Sequence, residues 1–498
     1  MRDDSNCALI SASTLYNLVA CEHRVHLDAF GDESLRDAIH PFVEWLWRNG
    51  ISFEAATMAG SGNAALNLRD APKDERERLT VEAIQRREPL IYGGKLSADD
   101  LVGEPDLLRL EENGYVPIDI KSGAGTDNSS VEAKPKGHYA VQLALYVDIL
   151  ERLGVSAGRF AYVWDRFGDE VLYDFTAPKS VRNQTTLWND YGVVLDKARA
   201  IFGNECATSP ASTSICKQCH WYSECLRELT QRDDLSLLPE LGRARREALL
   251  EHVATISELA ARDMVTLLDT NGRSVVKGFS EASLLKYINR AMLRSSGGDP
   301  YAKEPIVLPP SVMEVVLDIE NHPFRDRCYL HGILSRRIGS GIVEHSAFFA
   351  DEASEQSERA AFNAAWEHLQ LLRPFTLYTY SNHERTWWRK MQRRYPDVCS
   401  DADIDGLFDP ETAVDLYYGI ILSKTEWPTN DFSLKTLASH CGFVWRDAEP
   451  SGSASIVWYD EHLSGSHEAK QRVLEYNEDD CRATLALVDV LRELDVRL

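Results

Sequence analysis

The sequence predicts an α/β chain in which two regions of alternating strand and helix flank a helical segment. Three observations carry this. First, Asp106-Leu107-Leu108 opens a strand, Glu112-Asn113-Gly114 reads as a hairpin turn, and Tyr115 to Lys121 reads as the return strand. Second, residues 231 to about 290 are rich in Leu, Ala, Arg and Glu, a helical composition. Third, Ser295-Ser296-Gly297-Gly298-Asp299-Pro300, extended by Pro305, Pro309 and Pro310, breaks the chain before a fresh alternation starts at Met313. At 498 residues the chain exceeds one hydrophobic core, so two or three domains are expected, with boundaries near 230 and 305.

A composition of 44% hydrophobic and 27% charged residues is that of a globular protein, not of a disordered or fibrous one. No apolar run is long enough to span a bilayer, and Met1-Arg2-Asp3-Asp4-Ser5 lacks the apolar segment of a secretory signal. These features predict a cytoplasmic protein with no membrane partner. The formal charge of −24 argues against a broad polyanion-binding surface, although net charge does not describe a single groove. Arg385, Arg389, Lys390, Arg393 and Arg394 are interleaved with Trp387 and Trp388, a pattern that can touch phosphate and stack bases. The same stretch reads equally well as a solvated helix face over two core tryptophans.

The hairpin is the first carboxylate constellation. Side chains two apart on a strand share a face, so Asp119 and Lys121 point the same way, beside the start of the partner strand at Asp106. Two such carboxylates can hold Mg²⁺ or Mn²⁺ with a water, and the lysine can steady charge growing on a phosphate. Downstream, Gln142 and Tyr146 lie one turn apart on an amphipathic helix. Upstream, Glu54 sits in a helical stretch and is a third candidate acid.

The ten cysteines of a cytoplasmic chain are not a disulfide framework. Cys7, Cys206, Cys328, Cys399, Cys441 and Cys481 are scattered and read as packed thiols. Cys216, Cys219 and Cys225 are concentrated in one short segment, which suits zinc, iron–sulfur or redox chemistry. A fourth ligand would be His220, awkwardly adjacent to Cys219, or the distant Cys21. In the middle segment, Leu238 to Leu250 and Val253 to Ala260 read as a helix-hairpin-helix-like pair, equally a plain helical spacer. Arg243, Arg245 and Arg246 are candidate phosphate contacts there.

The second carboxylate constellation starts at Val315-Val316-Leu317-Asp318-Ile319-Glu320, a buried-looking strand with both acids on one face. Far downstream, Tyr476 and Asp480 lie one turn apart on a helix. A phenol beside a carboxylate can position a water for attack. Between them, Asn382 is placed to cap a helix with Glu384 in its first turn; Asp415 is a second candidate for a fourth acid.

The Gly-x-Pro-Asp segment ending at Asp106, the Asp-x-Lys strand and the Gln-x-x-x-Tyr helix resemble PD-(D/E)XK nucleases of the RecB/Cas4 type. That likeness implies metal-dependent DNA cleavage with Asp106, Asp119 and Lys121 in central roles, Gln142 and Tyr146 in support, and Glu54 as a further metal ligand. The cysteine spacing is similar to that of Cas4 and AddB-type nucleases. It implies a [4Fe–4S] cluster on Cys21, Cys216, Cys219 and Cys225, with structural zinc as the alternative. The Asp-x-Glu strand and Tyr-x3-Asp helix resemble DEDD 3′–5′ exonucleases of the RNase H-like fold. This implies Asp318, Glu320 and Asp480 as ligands of Mg²⁺ or Mn²⁺, Tyr476 as the residue that positions water, and Glu384 in place of the usual aspartate.

The order of these parts resembles the TM0106 family of RecB-like nucleases. It implies a restriction-endonuclease-like domain with an iron–sulfur clip over 1–230, a helical linker over 231–305 and an RNase H-like exonuclease domain over 306–498. The implied partner is DNA, single-stranded or end-bearing, in repair or defence. No Gly-x4-Gly-Lys-Ser/Thr loop is present, so a helicase partner would supply any unwinding.

Overall fold

The computed structural model describes residues 9–60, 62, 64–127 and 134–497; Cys7 and the opening Met1 to Ser5 lie outside them. By contact density the chain divides into two compact units, one built mainly from residues 1–210 and the other mainly from 225–498. Among the described residues no helix is long and apolar enough to cross a membrane.

In the first unit, a six-stranded sheet runs in the order Glu170–Asp174, Phe160–Trp164, Gly114–Ile120, Leu107–Glu111, Leu90–Tyr92, Leu66–Asn67. The anticipated hairpin is present, with Leu107 opposite Ile118 and Glu111 opposite Gly114. Phe160–Trp164 lies parallel to Gly114–Ile120, so the chain between them must cross over. The helix Gly137–Arg152 makes that crossing and buries Leu143, Ala144, Leu145, Val147, Ile149 and Leu150 against the sheet. Every residue of Gly114–Ile120 is buried, which explains its nearly unbroken apolar sequence and makes Asp119 conspicuous within it.

The second unit opens with helices. Gly242–Leu250 and Ile256–Ala261 form a short pair, followed by Glu281–Ser296. They pack through Leu249, Ile256, Leu259, Leu284, Tyr287 and Ile288. Gly297 ends the last of them in the left-handed conformation that glycine adopts without steric cost, as the linker signal implied. Arg246 is buried, its Nε 2.8 Å from Asp234 Oδ1, and Arg245 donates to the Tyr287 hydroxyl at 3.1 Å. The expectation of Arg246 as a phosphate contact is therefore corrected: burying a guanidinium demands a carboxylate partner, and Asp234 supplies it.

A five-stranded sheet follows in the order Val343–Phe349, Arg327–Arg337, Met313–His322, Thr376–Thr379, Ala413–Asp415. The first three strands are antiparallel; the last two run parallel to Met313–His322. Strand periodicity divides the core. Val315, Leu317 and Ile319 pack with Phe362, Trp387 and Trp388 on one face. Val316 packs with Tyr476, Cys481 and Leu485 on the other, against the final helix His467–Glu493. Asp318 and Glu320 share the parity of Val316 and so turn toward that helix.

The two tryptophans of the basic stretch are core residues of the helix His383–Arg394. Most of its cations are already paired: Arg389 with Asp405, Lys390 with Asp326, and Arg394 with both Asp326 and Glu358. The solvated-face reading accounts for this stretch, and its charge is largely spent on intramolecular acids. Glu358 is nearly sealed from solvent and accepts from Arg327, Arg394, the Tyr395 hydroxyl and the Cys328 amide. Glu358→Ala would strand those donors and is expected to cost about 3–5 kcal/mol of stability, read as a lowered urea midpoint at unchanged slope.

Candidate functional site

Acids that the sequence sets far apart converge in the second unit, which holds the one group with metal-site spacing among the described residues. In the second unit, ligand oxygens of Asp318, Glu320 and Asp480 all lie within 4.8 Å of one another. Two come from one strand and one from the final helix, so the cluster depends on that helix docking on the sheet. Gly332 permits the docking: it pairs with Asp318 across the strands, and a Cβ there would stand 1.8 Å from Asn477 Oδ1. Asn477 uses this proximity to donate from Nδ2 to Asp318 Oδ2 at 2.7 Å.

Asp480 is held by Trp445 Nε1 at 2.6 Å and by Lys435 Nζ at 3.2 Å; the same lysine donates to the Tyr476 hydroxyl at 2.8 Å. Burial, with the charge of Asp480, pushes Glu320 up to about 8. The same two causes, with Glu320 added, raise Asp318 well above the usual carboxylate range. Burial also lifts the Tyr476 phenol well above its ordinary value, so it is a neutral hydrogen-bonding group. Hard oxygen donors crowded in this way fit Mg²⁺ or Mn²⁺.

Glu384 occupies the first turn of its helix as anticipated, and its charge acts on Asp318 and Glu320. It is buried, with Oε2 lacking a hydrogen-bond partner among the described residues, and burial raises it to about 8. Asn382 precedes the helix, but its side chain does not cap it; Ser381 Oγ accepts from the His383 amide instead. Asp415 closes the strand Ala413–Asp415, its Oδ1 accepting from the Tyr418 amide at 3.0 Å.

In the first unit, Lys121 Nζ lies 2.9 Å from Asp119 Oδ2 and 3.3 Å from Gln142 Oε1. Gln142 Nε2 donates onward to the Tyr146 hydroxyl at 3.2 Å. Asp106 Oδ2 accepts the Ile120 amide at 2.8 Å, which fixes it beside the Asp119–Lys121 strand. Burial and the Asp119 charge raise Asp106 to about 8. Burial alone would lower Lys121, but the charges of Asp119 and Asp106 outweigh it and the ammonium is stabilised. Glu54, buried on the helix Pro41–Gly60, is paired with Arg69, whose Nη2 also reaches Asp106 Oδ1 at 3.5 Å.

Of the four cysteines, Cys21 sits between two helices as the C-cap of Ala12–Ala20 and the flank of Glu22–Phe30. Cys216 lies in the short turn Ser214–Gln218, its Sγ 3.3 Å from Thr213 Oγ1, and Cys225 lies in the helix Tyr222–Gln231. His220, beside Cys219, directs Nε2 to Asp28 Oδ1 at 2.7 Å, and Trp221 Nε1 meets the same oxygen at 2.9 Å.

Arg69, Lys435, Asn477 and Trp445 were not identified as site residues from sequence. Only their contacts give them a role.

Residues 37–226 match the PD-(D/E)XK nuclease superfamily, and residues 315–492 match the RNase H superfamily. The chain thus carries one domain of each superfamily. No curated protein matches the chain.

The raised carboxyls set a pH dependence. Asp106, Glu320 and Glu384 hold their protons to about 8 in the folded state, above the ordinary 3.8 to 4.5. The folded state therefore binds more protons than the unfolded chain across that window, and stability falls as pH rises through it. Metal-free protein is expected to melt at a lower temperature at pH 8 than at pH 5.5, with the protection given by Mn²⁺ growing over the same interval. A melting temperature that rises with pH in EDTA would contradict the assignment.

Proposed function

We propose that the protein is a divalent-metal-dependent DNA nuclease with two phosphodiester-hydrolysing centres, of the TM0106 RecB-like type, acting in repair or defence. The observation that carries the reading is the convergence of Asp318, Glu320 and Asp480 to within 4.8 Å in a buried setting. The nuclease class itself is supported by both superfamily matches. The proposed domains are 1–230, 231–305 and 306–498, and the proposed substrate is DNA with a free or single-stranded end.

Asp318, Glu320, Asp480 and Glu384 would hold metal in the C-terminal centre, and Asp106, Asp119 and Glu54 in the N-terminal one. A bound Mg²⁺ or Mn²⁺ supplies Lewis-acid stabilisation of phosphoryl charge and an acidified water. The chain's own groups do the rest. Tyr476, kept neutral by burial, orients water through its hydroxyl, and Lys435 holds both that hydroxyl and Asp480 in place. In the N-terminal centre Lys121 is held charged by Asp119 and presents its ammonium to the scissile group, while Gln142 and Tyr146 fix its position. The C-terminal centre trims from a 3′ end, and the N-terminal centre cuts.

A nucleic-acid-binding subunit with one or both nuclease centres degenerate is the second reading, favoured by Glu384 standing where the DEDD pattern has aspartate, and an RNase is the third. Asp119→Ala and Asp318→Ala, assayed with Mn²⁺ on single-stranded, duplex and flapped DNA and on matched RNA, separate these cases. Each substitution is expected to remove one activity by at least ~100-fold, and the pair to abolish cleavage. Loss of activity in only one single variant would assign the other centre to binding. Cleavage of RNA alone would replace the substrate.

We also propose a [4Fe–4S] cluster on Cys21, Cys216, Cys219 and Cys225, supported by the Cys-x2-Cys-x5-Cys spacing. Anaerobically purified protein is expected to absorb visible light, and Cys219→Ser to bleach it. Colourless protein carrying zinc would replace iron with zinc in the clip.

A further inference from the structure

Arg69 is fixed in the first unit by contacts that a surface arginine does not need. Its amide donates to Asn67 Oδ1 at 2.9 Å, and its carbonyl accepts from Arg76 Nη2 at 3.0 Å. Gly93, in a left-handed conformation, packs so closely that a Cβ there would lie 2.8 Å from Arg69 Cα. The backbone is thus held on both sides, and the side chain is aimed. Its Nη2 bonds both carboxylate oxygens of Glu54 and reaches Asp106 Oδ1 at 3.5 Å, while the guanidinium lies 5.9 Å from the Tyr92 ring centre. A third of the side chain is exposed, beside a pocket of about 370 Å³ lined by Ala55, Met58, Asn67, Asp70 and Tyr92.

Arg69 therefore binds two of the three acids assigned to metal in the N-terminal centre. A guanidinium cannot give up its charge, so it can leave those acids only by moving. Glu54, Asp106 and Asp119 face two cations, Arg69 and Lys121, in the structure as it stands. If a divalent ion takes the acids, Arg69 is left as a surplus cation on a fixed backbone, next to an open pocket. A guanidinium so placed suits a phosphate diester, which accepts two parallel N–H donors.

We propose that Arg69 is a positioning residue that competes with divalent metal for Glu54 and Asp106 and, once displaced, anchors a backbone phosphate of the substrate strand. This rests on the metal-dependent reading of the N-terminal centre. It also gives that centre a threshold: metal must first displace a resident cation.

The test is Mn²⁺ titration of full-length protein by electron paramagnetic resonance, in an Asp318→Ala background so that the N-terminal centre dominates the signal. Arg69→Met, which keeps the stem and removes the charge, is expected to bind Mn²⁺ at least fivefold more tightly than the background. It is also expected to raise KM for DNA severalfold more than it lowers kcat, and Arg69→Lys is expected to restore part of KM. Unchanged or weaker Mn²⁺ binding in Arg69→Met would overturn the proposal while leaving the metal reading in place. Failure of the background itself to bind Mn²⁺, with Asp106→Ala making no difference, would instead remove the metal reading of this centre. Should Arg69→Met not fold, a manganese-soaked crystal of the unaltered chain decides: a guanidinium still bonded to Glu54 beside bound metal overturns the proposal.

Discussion

Carboxylates gathered out of water repel one another, and the fold must hold them against that repulsion. In the second unit, Asp318 and Glu320 cannot separate because they are successive same-face positions on one strand, paired with Gly332 and Leu330 of its neighbour. Asp480 cannot withdraw because its helix carries much of the apolar cluster on that face, including Val473, Leu485, Leu487 and Val488. The strain is eased by donors placed for the purpose: Asn477 on Asp318, and Trp445 and Lys435 on Asp480. Protons ease it further, which is why these acids titrate high. A site that keeps its acids only by packing, donors and protons gains from a divalent cation, and on the proposed reading that gain links this fold to hydrolytic chemistry.

The two centres solve the same electrostatic problem to different degrees. The N-terminal one sets Lys121 and Arg69 against Glu54, Asp106 and Asp119. The C-terminal one has Lys435 against Asp318, Glu320, Asp480 and the nearby Glu384. The second has fewer resident cations for its acids, so on the proposed reading its demand for external cations is greater. On the proposed reading, a chain of formal charge −24 meets nucleic acid through metal held by its own acids rather than through a basic surface. The fate of the basic stretch agrees with this, since Asp326, Asp405 and Glu358 engage most of its cations.

What the sequence made legible was local and periodic. The two-residue period placed Asp119 with Lys121 and Asp318 with Glu320, and the helical period placed Gln142 with Tyr146 and Tyr476 with Asp480. The hairpin at Asn113-Gly114 and the glycine-rich stop after Ser296 followed from turn chemistry. What was not legible depended on tertiary neighbours. Arg69 lies 37 positions from Asp106, and no periodicity links them. The value of Gly332 is visible only once Asn477 is seen against it. Arg246 carries the same charge as any phosphate-binding arginine, and only burial with Asp234 shows that it serves the fold. Asn382 has the right residue type for a cap and stands at the cap position, yet its side chain makes no capping bond, and the His383 amide donates to Ser381 Oγ.

The most direct test of the account is an anomalous-scattering map from crystals grown with Mn²⁺. The account predicts a peak bridging the carboxylates of Asp318, Glu320 and Asp480, with the strand and the final helix unmoved. A map with no peak there at saturating Mn²⁺, or with the final helix drawn away so that Asp480 no longer meets the strand acids, would contradict it.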